Sequence, residues 1–310
     1  MTNLRPYPSY LYPLLLMYNK NIEEELLDMG GKMWMTTSTG LRMPRILYGT
    51  AWKKERTADL VHQAVVAGFR GIDTAAQPKH YEEHRVGQAL QYLQEHGIQR
   101  EELFLQTKFT PLQGQDPKRV PYDINAPVEE QVLQSFAASK ENLQTDHIDS
   151  FILHSPLVPH SLLMKVWRSM ESLYRDGSVS QLGISNCYMP GVLAALYDEA
   201  EVKPAVLQNR FYQQTGYDRS LRAWCAEKGI IYQSFWTLTA NPHILAASGV
   251  RQIAERLGKT EEQVFFRYLT LSGIIPLTGT TSLEHMHQDL DIFDFVLNDT
   301  DMRTIDRLLS

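Results

Sequence analysis

Cysteine is scarce in this sequence of 310 residues, which contains only Cys187 and Cys225. Two cysteines cannot form the disulfide framework of a small secreted domain, and no C-x-x-C motif or histidine and cysteine cluster predicts a zinc site. His285 and His287 lie two positions apart, whereas residues that share a helix face lie three or four apart, so no metal site is expected. Few cysteines are typical of a reducing compartment, and we expect a cytoplasmic protein.

Basic residues are not in excess either. The 30 lysines and arginines are outnumbered by 36 acidic residues, which gives a formal net charge of -6. Binding to a nucleic acid or to an anionic membrane surface requires clustered positive charge. The sequence therefore predicts neither a nucleic acid nor a membrane as a partner.

Long hydrophobic runs are also missing. The apolar stretch at residues 10–18 is interrupted by Pro13 and is shorter than the ~20 residues that cross a bilayer. It lacks the charged start and the small-residue cleavage site of a signal peptide. We interpret residues 1–31 as an N-terminal extension that either has no specific role or packs on the rest of the chain or on a partner. We interpret residues 32–310 as one domain.

The sequence does contain a repeated unit, in which an amphipathic stretch ends in glycine and a short apolar strand follows. Gly68, Gly177, Gly229 and Gly273 each end such a stretch, as glycine commonly does after a helix. Eight strands rich in isoleucine, leucine and valine alternate with helices, which predicts the α/β class and a (β/α)8 TIM barrel. A Rossmann sheet is the alternative, but it requires a G-x-G-x-x-G motif that the chain does not contain.

Polar side chains follow the predicted strands at the point where each strand ends, which is where barrel enzymes carry their chemistry. Asp73, Lys108 and His154 each come directly after an apolar strand. An acid, a base and an imidazole at one mouth indicate proton transfer. Each also has an ordinary explanation, as a helix cap, a solvated lysine and a core histidine respectively. Their matching depth on three successive strands favours catalysis.

Six motifs, found in order, make residues 33–310 resemble the aldo-keto reductases. The motifs are GFRGIDTA (68–75), VGQAL (86–90), LQTKF (105–109), DSFILHSP (149–156), LGISN (182–186) and VLQNRF (206–211). The resemblance implies a barrel that binds NADPH across the carboxyl ends of its strands and reduces carbonyl compounds. It also implies that residues 33–45 form a β-hairpin that plugs the bottom of the barrel.

The resemblance further implies a catalytic tetrad, consisting of Asp73, Tyr81, Lys108 and His154. In the family the tyrosine normally follows the aspartate by five positions, but Pro78 occupies that position and Tyr81 is the nearest tyrosine. The alternative for Tyr81 is packing at the start of the next helix. In the catalytic interpretation Tyr81 donates a proton to the growing alkoxide, and a neighbouring Lys108 ammonium lowers its pKa. Asp73 holds the lysine charged, and His154 donates to the substrate oxygen.

Cofactor contacts are implied by the same resemblance. Those expected at the nicotinamide and ribose end are Gly49, Thr50, Ser185, Asn186, Gln208, Phe235 and Trp236. Those expected at the adenosine end are Gly279, Thr280, Thr281, Ser282, His285 and Asp289. Phe235 replaces the family's stacking tyrosine, which is tolerable because stacking needs only a ring face.

The adenosine end departs from the family pattern. Family members commonly carry a lysine near position 279 and an arginine near position 285, both gripping the 2'-phosphate, whereas this chain has Gly279 and His285. Backbone amides at the start of the following helix favour a phosphate, although an ordinary N-cap explains Ser282 alone. Gln288 and Asp289 replace the residues that usually contact adenine. NADPH is the expected cofactor, and NADH is the alternative.

The expected substrate is a small-molecule carbonyl compound. Trp52 and Trp236 should line the mouth, shielded by the loop at residues 111–127 and by the insertion before Tyr81. An open aromatic mouth favours a bulky apolar carbonyl compound over a sugar. Two other functions stay open: binding or regulation by a reductase fold, with residues 1–31 as the partner segment, and non-redox proton transfer. We expect a monomer or a weak homo-oligomer.

Overall fold

The computed structural model describes residues 33–309. The N-terminal extension predicted at residues 1–31 lies outside the described residues. The described chain begins with an antiparallel hairpin of β1 (Trp34–Thr36) and β2 (Arg42–Pro44). The hairpin predicted at residues 33–45 is therefore confirmed.

Eight parallel strands form a closed barrel. They are β3 (Leu47–Gly49), β4 (Gly71–Asp73), β5 (Phe104–Phe109), β6 (Ile148–Leu153), β7 (Val179–Ser185), β8 (Val206–Arg210), β9 (Ile231–Phe235) and β10 (Ile274–Thr278). Each strand pairs with the next along the chain, and β10 pairs with both β9 and β3, which closes the sheet. The predicted (β/α)8 barrel is confirmed.

Helices follow the barrel strands and surround them. They are α1 (Thr57–Ala67), α2 (Glu83–Glu95), α3 (Val128–Leu143), α4 (His160–Arg175), α5 (Pro190–Glu199), α6 (Arg219–Lys228), α7 (Pro242–Leu245), α8 (Ser248–Leu257), α9 (Glu261–Leu271), α10 (Leu283–Leu290) and α11 (Asp299–Asp306). In α4 the buried residues Leu163, Val166, Trp167 and Met170 recur every three or four positions and so form one apolar face. No helix of residues 33–309 is long and apolar enough to cross a bilayer.

Glycine ends several helices in the conformation that its lack of a side chain permits. Gly229 follows α6 with φ of 70°, and its N–H donates to the carbonyl of Ala226. Gly68 follows α1 with φ of 125°, a value that residues with a side chain rarely adopt. At both positions, therefore, the glycine that follows the helix has the positive φ that favours glycine at a helix end.

The hairpin lies against the amino-terminal ends of the barrel strands. Met43 is completely buried in one apolar cluster with Phe104 and Ile231, the first residues of β5 and β9. Its sulfur also accepts hydrogen bonds from Gln181 Nε2 at 3.8 Å and Gln233 Nε2 at 3.5 Å. Because the hairpin covers this end, the carboxyl ends of the strands are left to form a site.

The contact between α2 and α3 depends on a glycine. A Cβ atom at Gly87 would overlap the carbonyl oxygen of Asn142 and would lie 3.0 Å from Leu143 Cα. Both neighbours are backbone atoms, so relief requires the two helices to move apart. Replacement of Gly87 by alanine is expected to lower the free energy of unfolding by about 2–3 kcal/mol, as overpacking typically does.

Chemical denaturation of the Gly87→Ala variant measures this effect. Gly191, in α5, is the matched control because a Cβ there would meet nothing within 4 Å. Gly191→Ala should leave stability unchanged or raise it by up to about 1 kcal/mol. Equal stabilities of the two variants would contradict the close helix contact.

Candidate active site

A cavity of about 1160 Å³ opens at the carboxyl ends of the barrel strands. Most of the residues that the sequence predicted for the site line it, namely Gly49, Trp52, Asp73, Tyr81, His154, Ser185, Asn186, Gln208, Phe235, Trp236, Gly279, Thr280, Thr281, His285 and Asp289. The lining does not include Lys108, Thr50 and Ser282. The fold thus brings residues from seven of the eight barrel strands or their loops to one opening, while β5 contributes Lys108 beneath it.

Asp73 and Lys108 form a buried ion pair at the base of the cavity. Lys108 Nζ lies 2.6 Å from Asp73 Oδ2 and donates to the carbonyl of Thr74 at 2.8 Å. The lysine side chain is 0% exposed and the aspartate side chain 3% exposed. Burial lowers the pKa of Lys108, and the Asp73 carboxylate opposes that shift. A buried charge is tolerated when it is paired, so each group requires the other.

Glutamine side chains surround this ion pair. Gln106 Nε2 and Gln208 Nε2 donate to Asp73 Oδ1 at 2.7 and 3.0 Å, and both also donate to Gln233 Oε1. Gln106 and Gln233 were missed in the sequence. A pattern in the sequence could have revealed them: a glutamine lies near the carboxyl end of three predicted strands, in LFLQTK, VLQNR and IIYQSF. These amides satisfy the carboxylate oxygen that Lys108 does not contact.

Tyr81 reaches the cavity through a tight turn. The N–H groups of His80 and Tyr81 both donate to the carbonyl of Gln77, at 2.9 and 3.0 Å. This turn takes up the extra residues between Asp73 and Tyr81. Lys108 Nζ lies 5.3 Å from the centroid of the Tyr81 ring, and the His154 ring centroid lies 6.1 Å from it. The longer spacing in the sequence therefore still places the phenol beside the other three predicted residues.

The net shift of the Tyr81 pKa is upward, and the lowering effect expected of Lys108 stays a prediction. Burial raises the pKa of Tyr81 above its ordinary value, and the negative charge of Asp73 raises it further. The Lys108 ammonium is directed at Asp73 and Thr74, so its charge is largely offset by the aspartate. Tyr81 is accordingly a protonated phenol in this state, which is the form that can donate a proton.

His154 is held as a neutral imidazole. Burial, together with the positive charge of Lys108, lowers the pKa of His154 to about 3. Its Nδ1 lies 2.7 Å from the hydroxyl of Thr110, and its carbonyl accepts a hydrogen bond from Asn186 Nδ2 at 2.8 Å. With Nδ1 engaged by Thr110, Nε2 is the ring nitrogen left for a ligand in the cavity.

The side chains predicted for the nicotinamide end are held by hydrogen bonds to neighbouring strands. Ser185 Oγ donates to the carbonyl of Gln208 at 2.7 Å, and Tyr188 Oη donates to Asn186 Oδ1 at 3.3 Å. Thr50, by contrast, is fully buried and donates to the carbonyl of Asp73 at 3.0 Å. Its position supports the aspartate and does not face the cavity.

The end of the cavity predicted to hold the adenosine is built by β10 and α10. Tyr48 Oη donates to the carbonyl of Thr280 at 2.9 Å, which fixes the loop between them. Ser282 Oγ accepts from the N–H of His285 at 3.4 Å, so its ordinary role as an N-cap is realised. Burial raises the pKa of Asp289 to about 7, while the hydrogen bond from Thr278 opposes that shift.

Comparison with known proteins agrees with this geometry. The model of the Aldo/keto reductase family matches residues 38–310. The chain belongs to the aldo/keto reductase family. It is 32% identical over 249 residues to a glyoxal reductase of Bacillus subtilis, covering 80% of this chain and 82% of that protein. It is 28% identical to the methylglyoxal reductase DkgA of Escherichia coli, covering 86% and 90% of the two chains.

Solved structures of the family share the fold. The aldo/keto reductase from Brucella melitensis superimposes with a TM-score of 0.76 at 28% identity, covering 89% of this chain and 98% of that one. The aldo-keto reductase MGS-M4 from a deep-sea metagenome library gives a TM-score of 0.76 at 26% identity, covering 89% and 94%. The barrel described above is thus the aldo/keto reductase barrel.

The mouth of this aldo/keto reductase cavity is lined by the turn before Tyr81. The His80 ring lies 3.8 Å from the Trp52 ring, centroid to centroid. None of the residues of the loop at 111–127, all of which the structure describes, lines the cavity, and its shielding of the mouth stays a prediction. Gln77 Nε2 donates to the carbonyl of Gly114 at 2.6 Å, so this loop supports the turn from behind.

Two cations of the cavity were missed in the sequence. Arg210 lies with its guanidinium carbon 4.2 Å from the centroid of the Trp236 ring and 5.3 Å from that of Tyr212. The sequence could have predicted it, because Arg210 lies two residues after Gln208 and therefore on the same side of β8. Lys53, which directly follows Trp52, donates from Nζ to the carbonyl of Gly279. That pairing had no signal in the sequence.

Three lining residues other than glycine have left-handed backbone conformations. The φ angles are 64° at Trp52, 53° at Asn186 and 57° at Trp236. Each residue stands just beyond a barrel strand, where the chain turns sharply toward the next helix. Backbone strain of this kind costs ~1–3 kcal/mol per residue and concentrates at functional sites.

Proposed function

We propose that this chain reduces an aldehyde or a ketone to an alcohol by hydride transfer from NADPH, with NADH as the alternative, and that Tyr81 donates the proton. The family already assigns it to the oxidoreductases. The observation that carries the proposal is the buried Asp73 and Lys108 pair beneath Tyr81, with Nζ 5.3 Å from the phenol ring centroid. A buried ion pair adds little stability compared with apolar residues of similar size, whereas its charges can assist the transfer of a proton.

The two ends of the cavity suit the two ends of a nicotinamide dinucleotide. One end offers the amide of Asn186 and the ring of Phe235, which suit a carboxamide and a flat heterocycle. The other end offers the hydroxyls of Thr280 and Thr281 and the imidazole of His285, which suit a phosphate. When bound, the cofactor would supply the hydride.

The chain's own residues supply the proton chemistry. His154 Nε2 donates to the carbonyl oxygen of the substrate and orients it, because Thr110 holds the other ring nitrogen. Tyr81 gives its proton to the same oxygen as negative charge grows there. The Lys108 ammonium then faces a phenolate that needs a positive neighbour, and Asp73 keeps the lysine in place.

The proposed substrate is a bulky apolar carbonyl compound. Trp52 is 57% exposed and Trp236 is 49% exposed, so two indole faces are available at the mouth. Large aromatic surfaces that stay open to solvent favour an apolar ligand over a strongly hydrated one. Some relatives are named as glyoxal and methylglyoxal reductases, so small dicarbonyl compounds should be assayed beside the bulky apolar ones.

We further propose that residues 32–310 form the catalytic domain and work as a monomer or weak homo-oligomer in the cytoplasm. Both cysteines, Cys187 and Cys225, are free thiols buried in the core, which suits a reducing compartment. The net charge of -6 suits a small-molecule substrate better than a nucleic acid or an anionic membrane.

Titration of the tryptophan fluorescence with NADPH and, separately, with NADH tests the proposal. Trp52 and Trp236 line the cavity, so bound nucleotide should quench the emission, and we expect micromolar dissociation constants with NADPH the tighter ligand. A panel of apolar and dicarbonyl substrates then measures nucleotide consumption. Binding of neither nucleotide would contradict the proposal. Binding without consumption across the panel would favour a regulatory protein.

A further inference from the structure

Lys53 carries a positive charge into the adenosine end of the cavity. It lies in the loop after β3, its side chain is largely buried, and its Nζ donates to the carbonyl of Gly279. The same Nζ lies 5.7 Å from the centroid of the Tyr48 ring. These contacts direct the ammonium toward the loop that precedes α10, although Lys53 follows the first barrel strand and that loop follows the last.

The Lys53 ammonium has no carboxylate within ion-pair distance in residues 33–309. The other buried lysine of the site, Lys108, has Asp73 at 2.6 Å. Burial, together with repulsion from the positive charge of Arg56, lowers the pKa of Lys53 to about 8. A buried ammonium with one carbonyl and an aromatic face is poorly compensated, so an anionic ligand beside it would be stabilised strongly.

Gly279 lies directly beside this ammonium. A Cβ atom at position 279 would lie 3.5 Å from Lys53 Nζ, an ordinary van der Waals contact, so the cation is next to the point from which a side chain at 279 would start. The sequence indicated that positions 279 and 285 lack the lysine and arginine common in the family. A positive charge is nevertheless present beside position 279, and it comes from the loop after β3.

We propose that Lys53 binds the 2'-phosphate of NADPH in place of the missing side chain at position 279 and sets the preference for NADPH over NADH. The inference rests on the proposed cofactor site. The hydroxyls of Thr280 and Thr281 and the imidazole of His285 line the same end of the cavity and complete a donor set for one phosphate. An ammonium binds phosphate as a point charge and needs no fork geometry, so its approach from another strand is sufficient.

The Lys53→Met variant tests this assignment by fluorescence titration. Methionine keeps the length and apolar stem of the side chain and removes the charge. The dissociation constant for NADPH should rise about 10–100-fold, as expected for loss of one charge-assisted phosphate contact. The dissociation constant for NADH, which carries the diphosphate but no 2'-phosphate, should change by less than about twofold. Lys53→Gln is the second variant, with the same expectation, if the methionine variant does not fold.

Two controls isolate the charge. Lys54→Met removes a neighbouring exposed lysine and should leave both dissociation constants unchanged. The double variant Lys53→Met with Gly279→Lys returns a positive charge from the position used by the family. It should restore NADPH binding to within about threefold of wild type, since Gly279 has no backbone conformation reserved for glycine.

The outcomes separate this inference from the proposed function. Equal weakening of NADPH and NADH in Lys53→Met would overturn it, because the lysine would then face the diphosphate that both nucleotides share. Unchanged binding of both nucleotides would overturn it as well. If the wild-type protein binds neither nucleotide, the cofactor site itself fails, and the inference fails with it.

Discussion

Phenylalanine at position 81 is expected to lower kcat for carbonyl reduction by about 10²–10⁴-fold, which is the usual contribution of a positioned general acid. The variant Tyr81→Phe keeps the ring that packs beside Lys108 and His154 and removes only the hydroxyl. Nucleotide affinity should therefore change by less than about twofold. Steady-state consumption of NADPH measures kcat, and fluorescence titration measures the affinity.

The control for this variant is a tyrosine away from the cavity. Tyr197 packs on Trp224 with ring centroids 5.5 Å apart and does not line the site. Tyr197→Phe should leave kcat unchanged. Retention of wild-type kcat by Tyr81→Phe would mean that another group, with His154 the first candidate, supplies the proton.

Removal of the Lys108 charge is expected to destabilise the fold by about 3–5 kcal/mol, because Lys108→Met leaves the Asp73 carboxylate buried without its cation. Both side chains are almost completely shielded from solvent, so water cannot replace the lost contact. The amides of Gln106 and Gln208 continue to donate to Asp73 but carry no charge. Activity should be lost in the same variant. Denaturant-induced unfolding measures the change in stability.

The double variant Lys108→Met with Asp73→Asn distinguishes a broken ion pair from poor packing. Once the carboxylate is neutral, no buried charge is left unpaired, and most of the lost stability should return. Activity should not return. If the double variant is as unstable as Lys108→Met alone, the stability is lost because methionine packs poorly at position 108, and the coupling between the two charges is small.

The barrel was predictable because its signals are local. Apolar runs mark strands buried on both faces, and glycines such as Gly68 and Gly229 mark helix ends through their backbone conformation. Strand bounds have a weaker signal: the apolar run RILYGT covers residues 45–50, whereas the first barrel strand spans Leu47–Gly49. Hydrogen bonding to two neighbouring strands decides these ends, and the neighbours lie far away in the chain.

The candidate site was partly predictable for a related reason. Strand ends converge in a parallel barrel, so Asp73, Lys108 and His154 had to meet once the strands were placed. Tyr81 is different, because its spacing from Asp73 departs from the family pattern. The turn at Gln77 brings it back to the cavity, and no periodic pattern in the sequence predicts that turn. The pKa of Tyr81 depends on burial and on Asp73, neither of which is visible in a motif.

The sequence by itself determined the order of strands and helices, the family resemblance and the residue types at the strand ends, because these follow from periodicity and short motifs. Only the tertiary structure decided which distant groups meet inside the barrel. Gln106 and Gln233 share a hydrogen bond across 127 positions of the chain, and Lys53 meets Gly279 across 226 positions. Barrel closure brings the last strand beside the first, and contacts of that kind carry no local pattern that a single sequence can reveal.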